Sequence, residues 1–344
     1  MNQRDTRLIG LGLLLAVAAA LAGCGAKRPA SGGADSTEPI TLRVGFPGTG
    51  SGGRLGGPEG WAISHGLALS YLKPLGITAI KLIPLPNGPD INEAMAAKGV
   101  DIGLFGDAPA VVGRSVGIPD RVINIRSVDG NSYIYARKDG PKTVEELAGK
   151  SVGTQKGSIM ARFLNQLLDE KGLTGKVRIV HLPSNVAEPA VQRGDIAAYA
   201  GGYGPLEETR GFRVLDEAKK HKNMTSTGLA VVRQDFLDAH PGFATAWNKM
   251  RVAGIDDIGL HKEEYYQQLA KQAKLPLPVY KKLYPATDFV KDAFLPRGIE
   301  QLHGTKDFLK KQRLLKNDFN LEEWFYHEDD KTASDHSASN AAHG

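Results

Sequence analysis

The sequence predicts an α/β fold of two lobes, each a doubly wound, mostly parallel sheet. Three observations predict it. Strand-like runs alternate with helical runs from residue 41 to about residue 240, the pattern that lays helices on both faces of a parallel sheet. The alternation restarts near Ser132. The two halves also echo each other: EAMAAKGVDIGLFGDAP (Glu93–Pro109) and PAVQRGDIAAYAGGYGP (Pro189–Pro205) share an order. In each, a helix ends in Lys-Gly or Arg-Gly, Asp-Ile opens an apolar strand, and glycine precedes proline.

Each element has its own signal. LRVGF (Leu42–Phe46) and TAIKLIPL (Thr78–Leu85) are β-branched and apolar, and GWAISHGLALSYLK (Gly60–Lys73) between them has helical spacing. INEAMAAKG (Ile91–Gly99) reads as a helix with a glycine C-cap. DIGLFG (Asp101–Gly106) is a buried strand, a helix starts at Ala108, and VINIRSV (Val122–Val128) is the next strand. The second half opens with the strand SYIYARK (Ser132–Lys138) and the short helix VEELAG (Val144–Gly149). Ser151–Gln155 and Val177–Pro183 read as strands around a helix at Ser158–Gly172. Asn185–Gly194 is a helix, and Asp195–Gly202, Phe212–Glu217 and Thr227–Asp235 are strands. From Asp238 to Lys316 the chain reads as nearly all helical.

The amino terminus explains the single cysteine. Arg4 and Arg7 precede the apolar run Leu8–Leu21, which is shorter than the ~20 residues that cross a bilayer. A basic start, an apolar core and then small residues form a secretory signal. Leu21-Ala22-Gly23-Cys24 resembles the bacterial lipobox. The resemblance implies that the Cys24 sulfur takes a lipid and that Cys24 becomes the first mature residue, at the membrane. Gly25–Pro39 is small, polar and rich in proline and glycine, a flexible tether.

Composition bounds the rest. With one cysteine there is no disulfide framework and no CxxC site. About 290 residues remain beyond the tether, enough for two cores. The formal charge of +5 is scattered among acids, without the basic-aromatic interleaving of a nucleic-acid surface. The tail after Tyr326 is polar and reads as disordered. Its His327, His336 and His343 have no compact metal-ligand spacing. Neither a metal nor a cofactor is expected.

Four stretches together resemble the solute-binding proteins of ABC importers for alkanesulfonates, taurine and nitrate. They are LRVGF, LPNGPDINEAMAAKGVDIGLFGDAP, SVGTQKGSIMARFLNQLLDEKGL and VRIVHLPSNVAEPAVQRGDIAAY, in that order. The resemblance implies a two-lobed periplasmic binding protein fold (type II) that closes over a small ligand. It places crossovers near Val128–Ser132 and Asn223–Gly228. The expected division is a signal at 1–23, a lipidated tether at 24–40 and a first lobe at 41–128. A second lobe follows at 129–228, the first lobe is completed at 229–326, and a tail occupies 327–344. The implied role is extracytoplasmic delivery of a small organic anion or zwitterion to an ABC permease. The implied protein is a lipid-anchored monomer in the periplasm or on the outer face of the envelope. Two alternatives stay open: an enzyme related in fold to the thiamine-pyrimidine synthases, and a ligand-sensing module for a membrane sensor. The loop GFPGTGSGGRLGGPEGW is enlarged relative to the family, and Gly202-Tyr203-Gly204-Pro205 lacks the aromatic-acidic pair typical of sulfonate binders.

Candidate ligand residues lie at strand ends. Gln155, Lys156, Gly157 and Ser158 form a strand-to-helix turn whose free N–H groups favour an anion. Ordinary capping by Ser158 explains the same residues. Asp107 and Ala108 open another helix; Asp107 is either an N-cap or the partner of a ligand amine. The string Gly48–Gly53 fits GxGxxG, but the second strand is followed by no acidic residue until Asp90 to hold a ribose, which argues against a dinucleotide site. Thr49, Ser51 and Arg54 in that loop offer hydroxyls and a cation, or a solvated loop. Tyr203, between glycines, can stack on a ligand. Trp61 and His65, one helical turn apart, read as core or surface. No spacing argues for a catalytic set.

Overall fold

The computed structural model describes residues 39–48, 53–202, 210–283 and 289–328. The first half holds β1 (Ile40–Pro47), α1 (Gly57–Ser64), α2 (Leu67–Leu72), β2 (Ile77–Leu85), α3 (Gly88–Ala96), β3 (Ile102–Gly106), α4 (Asp107–Ser115) and β4 (Asp120–Gly130). The second holds β5 (Tyr133–Arg137), β6 (Ser151–Thr154), α5 (Ile159–Glu170), β7 (Arg178–His181), α6 (Ser184–Arg193), β8 (Ala198–Gly201) and β9 (Phe212–Glu217). The chain then returns through β10 (Ser226–Arg233) to α7 (Gln234–Ala239), α8 (Phe243–Leu260), α9 (Lys262–Ala273), α10 (Leu277–Leu283) and α11 (Pro296–Lys311).

Two five-stranded sheets result, with orders β2-β1-β3-β10-β4 and β7-β6-β8-β5-β9. Their topologies are the same. β1 is parallel to β2 and β3, as β6 is to β7 and β8. β10 is antiparallel to β3 and β4, as β5 is to β8 and β9. Each sheet is therefore mixed, with two parallel and two antiparallel pairings. The antiparallel strand in each is the one that arrives from the other lobe. It enters at the edge where the other strands end, so it must run against them. The echoed sequences are α3–β3 and α6–β8, equivalent units of the two sheets. The shared Asp-Ile has diverged. Asp101 is buried and takes the Arg43 fork (2.9 and 2.5 Å) and Arg233 (3.2 Å), whereas Asp195 pairs with exposed Arg193 at 2.8 Å.

Local boundaries follow backbone chemistry. The expected single helix at Gly60–Lys73 is two helices, because Gly66 is left-handed (φ 76) and breaks it. α3 starts earlier than expected: Asn87 accepts the Asp90 N–H (3.1 Å), and Pro89 occupies the first turn. Its left-handed cap is Lys98 (φ 57), not Gly99. The Gly99 N–H bonds the Ala94 carbonyl at 2.7 Å and closes the turn. In the C-terminal region, Gly242 (φ 88) separates α7 from α8, and residues 289–295 are not helical.

Both faces of each sheet are covered. In the first lobe, Phe243, Trp247 and Met250 of α8 pack on Leu42, Val44 and Phe46. On the opposite face Ile91, Met95, Val111, Leu302 and Trp324 meet. In the second lobe α5 buries Phe163, Leu164, Leu167 and Leu168. At roughly 1.5–3 kcal/mol for each buried side chain, this stripe outweighs the ~1 kcal/mol of its Ser158 cap. Across that sheet Tyr135 and Tyr199 stack at 5.0 Å beside Phe212.

The outer edge of β4 is closed by the C-terminal segment. The Val122 N–H bonds the Trp324 carbonyl (3.0 Å), the Tyr326 N–H bonds the Val122 carbonyl (2.9 Å), and the Ile125 N–H bonds Ala293 (2.7 Å). The Trp324 indole N–H donates to buried Asp120 at 2.7 Å. Burial pushes the Asp120 carboxyl up to about 7, against that hydrogen bond and the charges of Arg114 and Arg121. The folded value lies above the unfolded one. The carboxyl's contribution to stability is therefore complete at acid pH and lost as pH rises through about 7. The full loss is at most about 4 kcal/mol. Asp120→Asn keeps the acceptor and removes the titration. Urea unfolding at about pH 4.5 and about pH 8 should show wild type losing stability relative to the variant as pH rises. A constant difference between the two proteins would contradict this origin.

Candidate functional site

The ends of β1 and β3, the start of β10 and the end of β4 share one edge of the first sheet. The equivalent edge of the second sheet carries the turn after β6. The two edges meet. A Cβ on Gly106 would lie 2.6 Å from Ile159, and one on Gly157 would lie 3.2 Å from Pro89. Glycine at 106 lets the start of α5 approach the end of β3. Gly157 is left-handed (φ 72), as its turn requires. The starts of α4 and α5 are thus brought together from opposite lobes.

Asp107 is enclosed at this junction. Its Oδ1 accepts the Ala108 N–H (2.7 Å). Its Oδ2 accepts the Thr227 N–H (2.9 Å), the Thr227 hydroxyl (3.3 Å) and the Thr305 hydroxyl (2.8 Å). The carboxylate is fully buried. Through these bonds Asp107 connects α4, β10 and α11. Ala108 is buried with its amide spent on Asp107. Arg162 of α5 comes within 4.0 Å of the same Oδ2 and is itself buried. Its Nη2 donates to the carbonyls of Met224 (3.3 Å) and Thr225 (2.5 Å) in the segment that leads into β10. Burial holds this guanidinium below its ordinary value, opposed by the Asp107 charge.

The turn after β6 is built as a cap. The Ser158 hydroxyl donates to the Gln155 carbonyl (2.7 Å) and accepts the Ala161 N–H (3.1 Å), and its amide bonds Gln155 at 3.2 Å. Ser158 is buried, Gln155 half-buried, and Lys156 and Gly157 exposed. Beneath the turn, the Thr154 hydroxyl is buried and has no hydrogen-bond partner among the described residues. Arg54 is exposed and borders adjoining cavities of about 580 and 240 Å³ between the glycine-rich loop and α9. Their described lining belongs to the first lobe alone, so Arg54 is not grouped with Asp107 or Ser158. Thr49, Ser51 and Tyr203 lie outside the described residues, as do Cys24, His336 and His343. Trp61 is core: its indole donates to Asp257 (2.6 Å) and stacks on His65 at 3.6 Å. Among the described residues no His, Cys, Asp and Glu group is placed to hold a metal ion.

Sequence reasoning missed a second buried ionic group. Glu59 of α1 takes a two-pronged fork from Arg126 of β4 (3.2 and 2.9 Å), and Arg251 of α8 lies 3.3 Å away. Burial alone would raise Glu59. The charge and fork of Arg126 and the charge of Arg251 outweigh it and hold the carboxyl below its usual range. The three residues are 67 and 125 positions apart in sequence, so no local spacing could reveal them.

Two similar lobes joined by paired crossovers, with helix starts facing each other, define the periplasmic binding protein fold. The chain belongs to the NMT1/THI5-like family, whose profile matches residues 67–262. It is 29% identical over 200 residues to the taurine-binding periplasmic protein of Escherichia coli (strain K12), covering 55% of this chain and 62% of that one. The matches span less than two thirds of the length of the curated relatives. The alkanesulfonate-binding protein SsuA from Xanthomonas axonopodis pv. citri, solved bound to MOPS, superposes with a TM-score of 0.69 at 20% identity, covering 84% of this chain and 99% of that one. The desulfurization enzyme DszB has the same fold, with a TM-score of 0.59 at 15% identity over 86% of this chain and 99% of that one.

The junction makes a direct prediction. Arg162→Met strips buried carbonyls of their donor and leaves Asp107 without its cation, which should cost about 3–5 kcal/mol in urea unfolding. Thr305→Val removes one hydroxyl from Asp107 and should cost about 1–3 kcal/mol. Losses below about 0.5 kcal/mol for both would show that the network contributes little.

Proposed function

We propose that this chain is an extracytoplasmic solute-binding protein that delivers a small organic anion or zwitterion to the permease of an ABC importer. The observation that carries this reading is the meeting of two equivalent sheet edges at the starts of α4 and α5. Family membership and the taurine-binding and alkanesulfonate-binding relatives support a sulfonate-like or carboxylate ligand. A ligand between the lobes contacts both only when they close, so it favours the closed form. In this reading residues 1–23 are the signal, 24–40 the lipidated tether, 41–128 and 229–326 one lobe, and 129–228 the other. Cys24 carries the lipid and holds the protein in the periplasm or at the outer face of the envelope. Lys156, exposed at the turn after β6, adds positive charge from the second lobe. The buried hydroxyl of Thr154 below it is a donor for the ligand.

The test is a thermal-shift and calorimetry screen of the mature protein against taurine, alkanesulfonates, carboxylates and neutral amides. A true ligand at 100 times its dissociation constant should stabilise the fold by about 2.7 kcal/mol and reduce the radius in solution scattering. A best ligand that is neutral or purely cationic would refute the anion reading. The resemblance in fold to DszB makes catalysis the second reading, because fold alone does not fix function. NMR of the bound compound separates the two: a binding protein returns it unchanged. For the anchor, Cys24→Ser should abolish lipid labelling in cells, and persistent labelling would exclude Cys24 as the acceptor.

A further inference from the structure

The group formed by Glu59, Arg126 and Arg251 does not balance. Two guanidiniums share one carboxylate. Arg126 donates through Nε and Nη2 to Glu59, and Arg251 lies against the same carboxylate at 3.3 Å. Arg251 Nη2 donates to the Arg126 carbonyl at 2.8 Å, so the second cation is tied to the first residue's backbone. Asp257, on the same helix as Arg251, is taken by the Trp61 indole and His261. The group carries one net positive charge in the interior, where a charge without a partner is costly.

Only one member has an opening. The Glu59 and Arg251 side chains are 0% and 1% exposed, whereas that of Arg126 is 19% exposed. Among the described residues Nη1 of Arg126 makes no hydrogen bond. Two glycines lie against the side chain. A Cβ on Gly57 would lie 3.4 Å from Nη2, and one on Gly228 would lie 3.1 Å from Cγ. Gly228 pairs with Gly106 in the ladder of β10 and β3. Arg126 therefore lies at the same sheet edge as the junction of the lobes, beside the first turn of α1.

We infer that Arg126 is the residue of the first lobe that selects an anionic ligand, with its free guanidinium edge receiving the ligand's acidic group. This rests on the reading of the cleft as an organic-anion site and names the residue that makes it one. Glu59 sets the direction of the guanidinium, and Arg251 supplies the charge that Glu59 would otherwise cancel. The excess positive charge is then neutralised by ligand.

The test uses the two halves of one ion pair, because their charge effects have opposite signs. The probes are butane-1-sulfonate with butane-1-sulfonamide, and pentanoate with pentanamide. Calorimetry gives the preference of the mature protein for each acid over its amide. Arg126→Gln should reduce that preference about tenfold or more. Glu59→Gln raises the local charge and should increase the preference several-fold. Arg126→Lys keeps the charge and should retain most of the preference, which covers the case in which Arg126→Gln does not fold. A purely structural ion pair would weaken acid and amide alike in both variants, leaving the preference unchanged. That outcome, or a reduced preference in Glu59→Gln, overturns the assignment while leaving the anion reading intact. A wild-type protein that binds neither acid, or binds acids and amides equally, overturns the anion reading and this assignment together.

Discussion

The carboxylate of Asp107 is the constraint on which the arrangement of the lobes depends. It lies where a strand of the first sheet becomes a helix, and it is fully buried. A buried carboxylate must have its lone pairs filled. Here the fillers come from three elements: its own helix, and from far along the chain the strand returning from the other lobe and the last long helix. The carboxylate thus fixes where β10 enters the sheet. That entry in turn fixes the antiparallel pairing of β10 with β3 and β4. Arg162 approaches from the second lobe and binds the same returning segment through its carbonyls. Both lobes therefore grip one stretch of backbone near residue 225.

This explains why the turn residues read as ligand contacts are largely self-sufficient. Ala108 and Ser158 stand at helix starts, where free N–H groups favour anions. In the folded chain the first is served by Asp107 and the second is closed on Gln155. The polar groups of the junction hold backbone. Among the described residues, Lys156, the Thr154 hydroxyl and Nη1 of Arg126 make no hydrogen bond, and these are the groups that the proposed function gives to the ligand.

The sheets and most helices were legible in the sequence because each rests on local chemistry. Leu42–Phe46 and Thr78–Leu85 needed only apolar, β-branched composition, and the α5 stripe Leu164, Leu167, Leu168 needed only helical spacing. The echo between residues 93–109 and 189–205 became an identity of topology. Local signals failed where two residues of similar appearance compete. Lys98, and not Gly99, takes the left-handed position, because the bond from Gly99 to Ala94 decides the register of the turn. They failed altogether for long-range groups. Nothing near Trp324 announces that it closes the edge of β4, and nothing near Glu59 announces Arg126 and Arg251. Asp107 was visible as a helix start, but its partners at 227 and 305 belong to segments that only the crossover brings together.

Arg162 and the pair Arg126–Arg251 differ in a way that bears on closure. Arg162 spends both its Nη groups on carbonyls and Gln166, and lies beside the Asp107 carboxylate, with its Nε buried and unpartnered among the described residues. Arg126 and Arg251 share one carboxylate, and the remainder of their charge must be met by water or by an anion. In the proposed function, an open cleft lets water reach the exposed edge of Arg126. Closure over an empty or neutral site removes that water and returns nothing, which is unfavourable in a medium of low dielectric. Closure over an anion replaces water with an opposite charge, and the same low dielectric strengthens the attraction. In the proposed function, ligand charge and lobe closure are then one equilibrium, in which an anion is favoured because it binds and also because the closed form without it leaves the Arg126 charge unmet.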